Sequence, residues 1–310
     1  MSDTIQIVIL SRDRPDYLKK TIQSVLNQSL LTAKIKIIVS DNSEKSEVKK
    51  MIDRYYFDSN LKYIRREPPV LAIDHFRLVI SECKEEYLVL FHDDDIMHPD
   101  YIETMLPFVQ KNVAAVGCNS LVFKNDLEKA TYKPHNFQAP KTFTSEKEFL
   151  EQYLPGSGWL APFPGYMYNS EILKKIKLKR VTARGLYSDV LLLSSLLDYG
   201  KIIWIPNFLM YYRLHSSNES NNLYMSEVIT MLNRMKHNGL GRSNVLVIML
   251  RCGYWLKWIL MQNIKDIFQW RNRTVFKFLF FSSFYLVSKA SFWKAFFNRH
   301  TLRYFFKIKS

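Results

Sequence analysis

Three consecutive aspartates, Asp93-Asp94-Asp95, stand directly behind an apolar run ending in His92, Tyr87-Leu88-Val89-Leu90-Phe91-His92. Such a run, bounded by polar residues, reads as a strand buried on both faces of a sheet. Carboxylates crowded at the edge of a core raise one another's pKa unless a cation neutralises them. A bound divalent ion is the ready solution, and all-oxygen ligands suit Mg²⁺ or Mn²⁺ better than zinc. The rival reading is a plain helix start, with Pro99 in the first turn. That reading needs one short polar residue beside Pro99, not three in a row several positions earlier. Two further polar clusters close apolar runs in the same way: Ser11 to Arg14 after Ile5 to Leu10, and Ser40 to Ser43 after Ile35 to Val39.

The elements that must position these clusters alternate. After Pro15 comes a helix with Leu18, Ile22, Val25 and Leu26 on one face, and after the second strand a helix with Val48, Ile52 and Tyr55. A third strand, Leu61 to Ile64, and a helix from about Ile73 to Cys83 lead into the run before the aspartates. Strands alternating with helices of this length predict βαβ crossovers and a mainly parallel sheet. Ligands of such sheets bind beyond the carboxyl ends of the strands, where all three polar clusters fall. No Gly-x-Gly-x-x-Gly follows the first strand and no Gly-x-x-x-x-Gly-Lys occurs, so dinucleotide and P-loop readings lack support.

Further along, the pattern predicts a helix from Pro99 to Lys111, a strand from Ala114 to Phe123 and a polar surface connection from Lys124 to Lys141. Ser145-Glu146-Lys147-Glu148 is a capping box opening a helix to Leu154. A loop rich in Gly and Pro follows, 155–164, which carries Trp159 and could frame a substrate. Leu186 to Tyr199 reads as a helix with Asp189 in its first turn. Ile202 to Ile205 and Phe208 to Tyr212 read as two strands, the second running into Arg213-Leu214-His215.

The chain has 310 residues and a formal charge of +15. From Leu240 to Ser310 there are thirteen Lys and Arg against one acid, Asp266, so that segment carries +12 and the first 239 residues only +3. The same segment holds 18 of the 45 Phe, Trp and Tyr residues. This break in composition puts a boundary near Gly239. Basic residues interleaved with Trp255, Trp258, Trp270, Phe292, Trp293, Phe296 and Phe297 are the pattern of helices lying in a membrane interface. A basic helical subdomain packed on the core is the plainer alternative, and single-stranded nucleic acid a third, without a recognisable binding motif. The longest uncharged apolar run there, Phe278 to Ser288, is too short to span a bilayer. Cys83, Cys118 and Cys252 show no paired spacing, which suggests neither disulfides nor zinc and fits a reducing cytoplasm. The first residues, MSDTIQIVIL, lack the basic start of a signal peptide.

Taken in order, VILSRDRPDYLKKTIQSVLNQ, IIVSDNS, YLVLFHDDDIMHPDYI, GLYSDVLLLSSLLDYGKI and YYRLHSSNES resemble the inverting family 2 glycosyltransferases over about residues 5 to 220. The resemblance implies the GT-A fold, an α/β architecture with a Rossmann-like, mainly parallel sheet flanked by helices. Together with the break in composition, it gives a catalytic domain over 1–239, with a nucleotide-binding half to about 123 and an acceptor half from 124, followed by a basic aromatic-rich helical tail over 240–310. It assigns Asp41 to the uracil ring of the donor, a position that local sequence alone would read as a turn. Ser11 and Arg14 map to the loop approaching the nucleotide, although Arg14 also reads as a solvated surface charge. Asp95 maps to the metal ligand, and Asp93 and Asp94 to ribose or nucleotide contacts. Many relatives show Asp-x-Asp-Asp, and here His92 stands at the first of those positions. Asp189 maps to the catalytic base, the second residue of a pair that is Glu-Asp in the family and Ser188-Asp189 here. An Asp in a first helical turn also favours the helix dipole and need do nothing more. Arg213 and His215 map to a segment that closes over the diphosphate.

The resemblance thus implies transfer of a sugar, with inversion and Mn²⁺ or Mg²⁺, from a nucleotide-sugar, a UDP-sugar, to a saccharide acceptor. That acceptor would be lipid-linked, in bacterial surface polysaccharide synthesis such as O-antigen or capsule. The enzyme would sit peripherally on the cytoplasmic face of the cell membrane, with no nucleic acid partner. The rival enzyme class, a sugar-nucleotide nucleotidyltransferase, normally carries a Gly-rich loop after its first strand, and Ser11 to Pro15 has no Gly. A nucleic-acid-binding protein using the basic tail is the non-enzymatic rival.

Overall fold

The first and fourth strands are apolar on both faces because both faces are covered. In the computed structural model β1 (Ile5–Ser11) leads through α1 (Pro15–Leu26) to β2 (Ile35–Asp41), then α2 (Glu47–Tyr55), β3 (Leu61–Arg65), α3 (Ala72–Glu82) and β4 (Tyr87–His92). The structure describes residues 4–32, 34–57, 61–132, 138–153, 163–176 and 188–215, with Arg234 and His237. β1 pairs in parallel with β2 and β4, and β2 with β3, so these strands run β3-β2-β1-β4 with their carboxyl ends on one edge. The period of two along a strand sorts its side chains into two cores. Val8, Leu88 and Leu90 face one with Val79 and Ile80 of α3. Ile5, Ile7, Ile9, Val89 and Phe91 face the other with Leu18, Ile22 and Val25 of α1. Each such fully buried side chain contributes about 1.5–3 kcal/mol relative to exposure.

Beyond β4 the chain makes a short β5 (Ile96–Met97), α4 (Tyr101–Met105), β6 (Val113–Phe123), β7 (Thr131–Tyr132), β8 (Lys141–Phe143) and α5 (Glu146–Tyr153). Then follow β9 (Tyr166–Asn169), α6 (Ser170–Lys175), α7 (Ser188–Leu196) and β10 (Lys201–Arg213). The sheet order is β3-β2-β1-β4-β9-β6-β10-β5, with β7 on β6 and β8 on β10. β6 and β10 are parallel, whereas β9 runs antiparallel between β4 and β6. The sheet therefore joins residues before and after 124 into one layer. The architecture is the mixed α/β, mainly parallel, GT-A-like one expected.

Several local expectations need correction. The helix from Pro99 ends at Met105 and passes into a 3₁₀ turn, Leu106–Phe108. Pro107 lacks an N–H and clashes with the preceding turn, so the α-helix cannot continue through it. The two strands after Lys201 are one, with register shifts between Trp204 and Met210 that accommodate Pro206. β9 and α6 are additions in a stretch with no period to betray them. Asn169 caps α6 by accepting the Ile172 N–H at 3.0 Å. Gly117 of β6 faces Tyr166 of β9, whose ring would lie 2.3 Å from a Cβ there, so only glycine admits the ring. Ser145 does cap α5, its Oγ accepting the Glu148 N–H at 3.3 Å. The loop over 154–162 with Trp159, the start of the helix at Leu186, the boundary near Gly239 and the tail from 240 lie outside the described residues. No helix among the described residues is long and apolar enough to cross a membrane.

Candidate active site

Parallel pairing brings the three polar clusters to one edge. Ser11 is in register with Asp41, and Leu10 with His92, so the residues after β1, β2 and β4 are neighbours. Asn42 N–H donates to the Ser11 carbonyl at 2.9 Å and Asp93 N–H to the Leu10 carbonyl at 3.2 Å. Asp13, at φ 54°, turns the chain from β1 into α1, and its N–H donates to Ser43 Oγ at 2.8 Å. Asp tolerates this left-handed backbone better than most residues.

The acidic triplet is buried, and each member has a different environment. Asp93 accepts the Arg12 N–H at 2.9 Å and the Arg14 guanidinium at 3.1 Å. Asp94 Oδ2 accepts Arg14 at 2.6 Å and lies 2.7 Å from His215 Nε2. Asp95 Oδ1 accepts the Arg213 N–H at 2.9 Å, whereas Oδ2 has no hydrogen-bond partner among the described residues. The pairing of β5 with β10 sets up this last contact, because Met97 lies opposite Met210 and Ile96 opposite Tyr211. Thr21 of α1 supports the turn from below, its hydroxyl 2.9 Å from the Asp93 carbonyl and 2.7 Å from that of Asp95.

Burial dominates the electrostatics. It pushes Asp93 up to about 7 against the pull of Arg14, and it pushes Asp95 well above the usual carboxylate range, reinforced by the charge of Asp94. Burial acts upward on Asp94 as well, but His92, Arg14 and His215 outweigh it and hold that carboxyl low. The triplet thus contains buried acid that a cation would ionise. His92, Asp94 and Asp95 each offer a ligand atom, all within 4.8 Å of one another. Together with the orphaned Asp95 oxygen, this set fits a divalent metal.

Asp41 is also fully buried, yet satisfied: Oδ1 accepts the Ser43 N–H at 3.0 Å and Oδ2 the Tyr63 hydroxyl at 2.6 Å. Behind it Arg66 Nε donates to Ser40 Oγ at 3.0 Å, and that hydroxyl lies 2.7 Å from His75 Nε2. Arg66 also grips Glu82 through two bonds, at 2.7 and 2.6 Å. Burial, then the charge of Arg66, lower His75 to about 4.

Arg213 is buried beside the acidic turn. Its guanidinium lies between the rings of Tyr17 and Phe123, at 4.6 and 4.3 Å, and Nε donates to the Asp94 carbonyl at 2.7 Å. It positions the acidic turn. Arg14, partly exposed, is paired with Asp93 and Asp94. Asp189 does open α7, half-buried, with Oδ1 accepting the Val190 N–H at 2.8 Å. Burial raises Tyr166 and Tyr168 of β9 well above the usual phenol range, and the Asp189 charge adds to this. Thr21, Tyr17, Tyr63, Arg66 and His75 are absent from the sequence reading. Two of them were detectable, since Thr21 and His75 are polar residues on the buried stripes of α1 and α3. A groove of about 1060 Å³ lies elsewhere, over Val8, Ile38, Ile64 and Val79, and contains none of these residues except Arg66.

An α/β sheet of this topology, with a buried acidic turn and a second carboxylate at its carboxyl edge, defines a GT-A-like class. Residues 6–176 match the profile of Glycosyl transferase family 2, and the chain belongs to that family. The fold is similar to the crystal structure of S. aureus TarS residues 1–349, with a TM-score of 0.60 at 10% identity, over 87% of this chain and 77% of that one. The same TarS fragment in complex with UDP-GlcNAc gives 0.59 at 10% identity, over 89% and 79%. Against the longer S. aureus TarS structure the score is 0.56 at 12% identity, and 87% of this chain covers 46% of that one. No curated protein matches.

Proposed function

We propose that this glycosyltransferase moves a sugar from a UDP-sugar to a saccharide hydroxyl with inversion, using Mn²⁺ or Mg²⁺. The observation that carries the reading is the unmatched Asp95 oxygen beside His92 and Asp94, on the same sheet edge as the rigidly held Asp41. Asp41 still has free lone pairs on its two engaged oxygens, and a carboxylate accepts the imide N–H of uracil. The family's UDP-GlcNAc-bound TarS neighbour supports the same donor class. His92, Asp94 and Asp95 would hold the metal, which supplies Lewis-acid stabilisation of the departing diphosphate. Asp93, Arg14 and His215 shape its surroundings by fixing Asp94 and the β1 loop. Asp189 takes the proton from the acceptor hydroxyl as that oxygen attacks the anomeric carbon.

The test is a donor screen. Full-length protein with Mn²⁺ should hydrolyse one UDP-sugar slowly, and EDTA should stop it. Asp189→Asn keeps shape but cannot accept a proton, so turnover should fall by a factor on the order of 10² to 10⁴. UDP affinity should change little. Unaltered turnover, or lost UDP binding in that variant, would remove Asp189 from the role of base.

The acceptor in this reading is a lipid-linked saccharide of a bacterial surface polysaccharide, met by residues 240–310 at the anionic inner leaflet while 1–239 form the catalytic unit. The charge of +12 and the 18 aromatics of that segment support it. Each Lys or Arg near anionic lipid contributes about 1 kcal/mol. Full-length protein should float with anionic liposomes and less with neutral ones, the difference shrinking as salt rises. Equal flotation with both would eliminate the electrostatic part.

A further inference from the structure

His92 is where the acidic motif departs from Asp-x-Asp-Asp, and the structure gives its imidazole a defined place. The residue closes β4 with its ring stacked on Phe163, centroids 5.6 Å apart and planes at 22°. Phe163 in turn packs on Phe76 at 4.9 Å and on Tyr168 at 5.8 Å. The plane of the imidazole is thus set by a cluster of rings. A ring nitrogen of His92 lies within 4.8 Å of a carboxylate oxygen of both Asp94 and Asp95. Asp95 is fully buried, and with Oδ1 taken by the Arg213 N–H, Oδ2 is the atom left for a ligand.

We propose that His92 is itself a metal ligand, making a mixed nitrogen–oxygen site that selects Mn²⁺ and related transition ions over Mg²⁺. This rests on the metal-dependent reading above and deepens it. Mg²⁺ is a hard ion that favours oxygen ligands in a near-ideal octahedron and gains little from imidazole. First-row transition ions accept imidazole nitrogen readily. With carboxylates alone the turn would suit Mg²⁺ and Mn²⁺ alike, and the nitrogen tips the balance. The other nearby imidazole, His215, already engages Asp94 Oδ2 at 2.7 Å, an oxygen it shares with Arg14, and acts through that carboxylate.

Two measurements on full-length protein test this. Calorimetric titration with Mn²⁺ and with Mg²⁺ should give a wild-type preference for Mn²⁺ of about tenfold or more, which His92→Asp narrows by at least about threefold. Pulsed electron paramagnetic resonance of Mn²⁺-loaded protein should show nitrogen modulation in wild type and in His215→Gln, lost in His92→Asp. Equal Mn²⁺ to Mg²⁺ ratios in wild type and His92→Asp would overturn the proposal. So would nitrogen modulation that survives His92→Asp or disappears in His215→Gln. Mn²⁺ binding without nitrogen modulation removes His92 alone and leaves the metal-dependent transferase standing. UDP binding with no Mn²⁺ binding removes both.

Discussion

Asp41 and Asp95 are both fully buried carboxylates at the carboxyl edge of the sheet, and they are treated oppositely. The fold gives Asp41 a donor for each oxygen, the Ser43 N–H and the Tyr63 hydroxyl. It gives Asp95 one donor, the Arg213 N–H, and leaves Oδ2 bare. A buried polar atom without a partner costs about 1–3 kcal/mol, more when charged. A carboxylate whose needs are met by the fold is set to read a neutral ligand by hydrogen bonding. One left half-met is set for a cation that arrives from outside. The surroundings follow suit: the atoms behind Asp41 form a connected chain through Ser40, His75, Arg66 and Glu82, whereas Asp95 sits among like charges.

The comparison breaks most readily at Asp95. Asp95→Asn keeps the shape and removes the charge, so metal-dependent UDP affinity and turnover should both fall on the order of 10²-fold or more. The melting temperature of the metal-free variant should change little at neutral pH, because burial already holds the metal-free Asp95 carboxyl in its neutral form. UDP binding that stays at the wild-type level in Mn²⁺ would erase the distinction between the two carboxylates.

The next effect concerns the satisfied side. His75 is held neutral with its pKa lowered from 6.5 to about 4, so the unfolded chain takes up the proton first as pH falls. Its contribution is present in full above about pH 6.5 and disappears as pH drops toward 4, amounting to at most about 3 kcal/mol. Urea unfolding across that window should lose a slope in His75→Gln that wild type shows. Parallel pH profiles for the two proteins would show that His75 is not a neutral link behind Asp41.

The smallest effect is expected at Asp41. Asp41→Asn should weaken UDP by about tenfold, the weight of one charge-assisted hydrogen bond, and relax discrimination against CDP. Metal affinity measured without nucleotide should not move. A variant that loses Mn²⁺ binding together with UDP would mean that the two carboxylates belong to one site.

Much of this frame was legible in the chain itself. β1 and β4 read as apolar runs because strands covered on both faces need no alternation, and the polar residues that stop them and β2 mark the carboxyl edge of the sheet. The aspartate triplet stands out by its consecutive charges alone. β9 and α6 left no trace because four and six residues are too few to show a period. β10 read as two strands because Pro206 normally interrupts a ladder, and only a bulge beside β6 lets it pass.

Which residues carry charge, and in what order, the sequence by itself determined; which oxygen is satisfied only the tertiary structure decided. The donor to Asp95 Oδ1 comes from Arg213, 118 positions away, through a pairing of β5 with β10 that no local pattern announces. The Tyr63 hydroxyl reaches Asp41 because β3 lies beside β2 in one particular register. Local sequence sets residue types and periods, which decide strands, helices and faces. Hydrogen-bond satisfaction of a buried carboxylate is a property of all the elements that meet around it. Here that meeting satisfies Asp41 and leaves one oxygen of Asp95 open, which is where the chemistry is assigned.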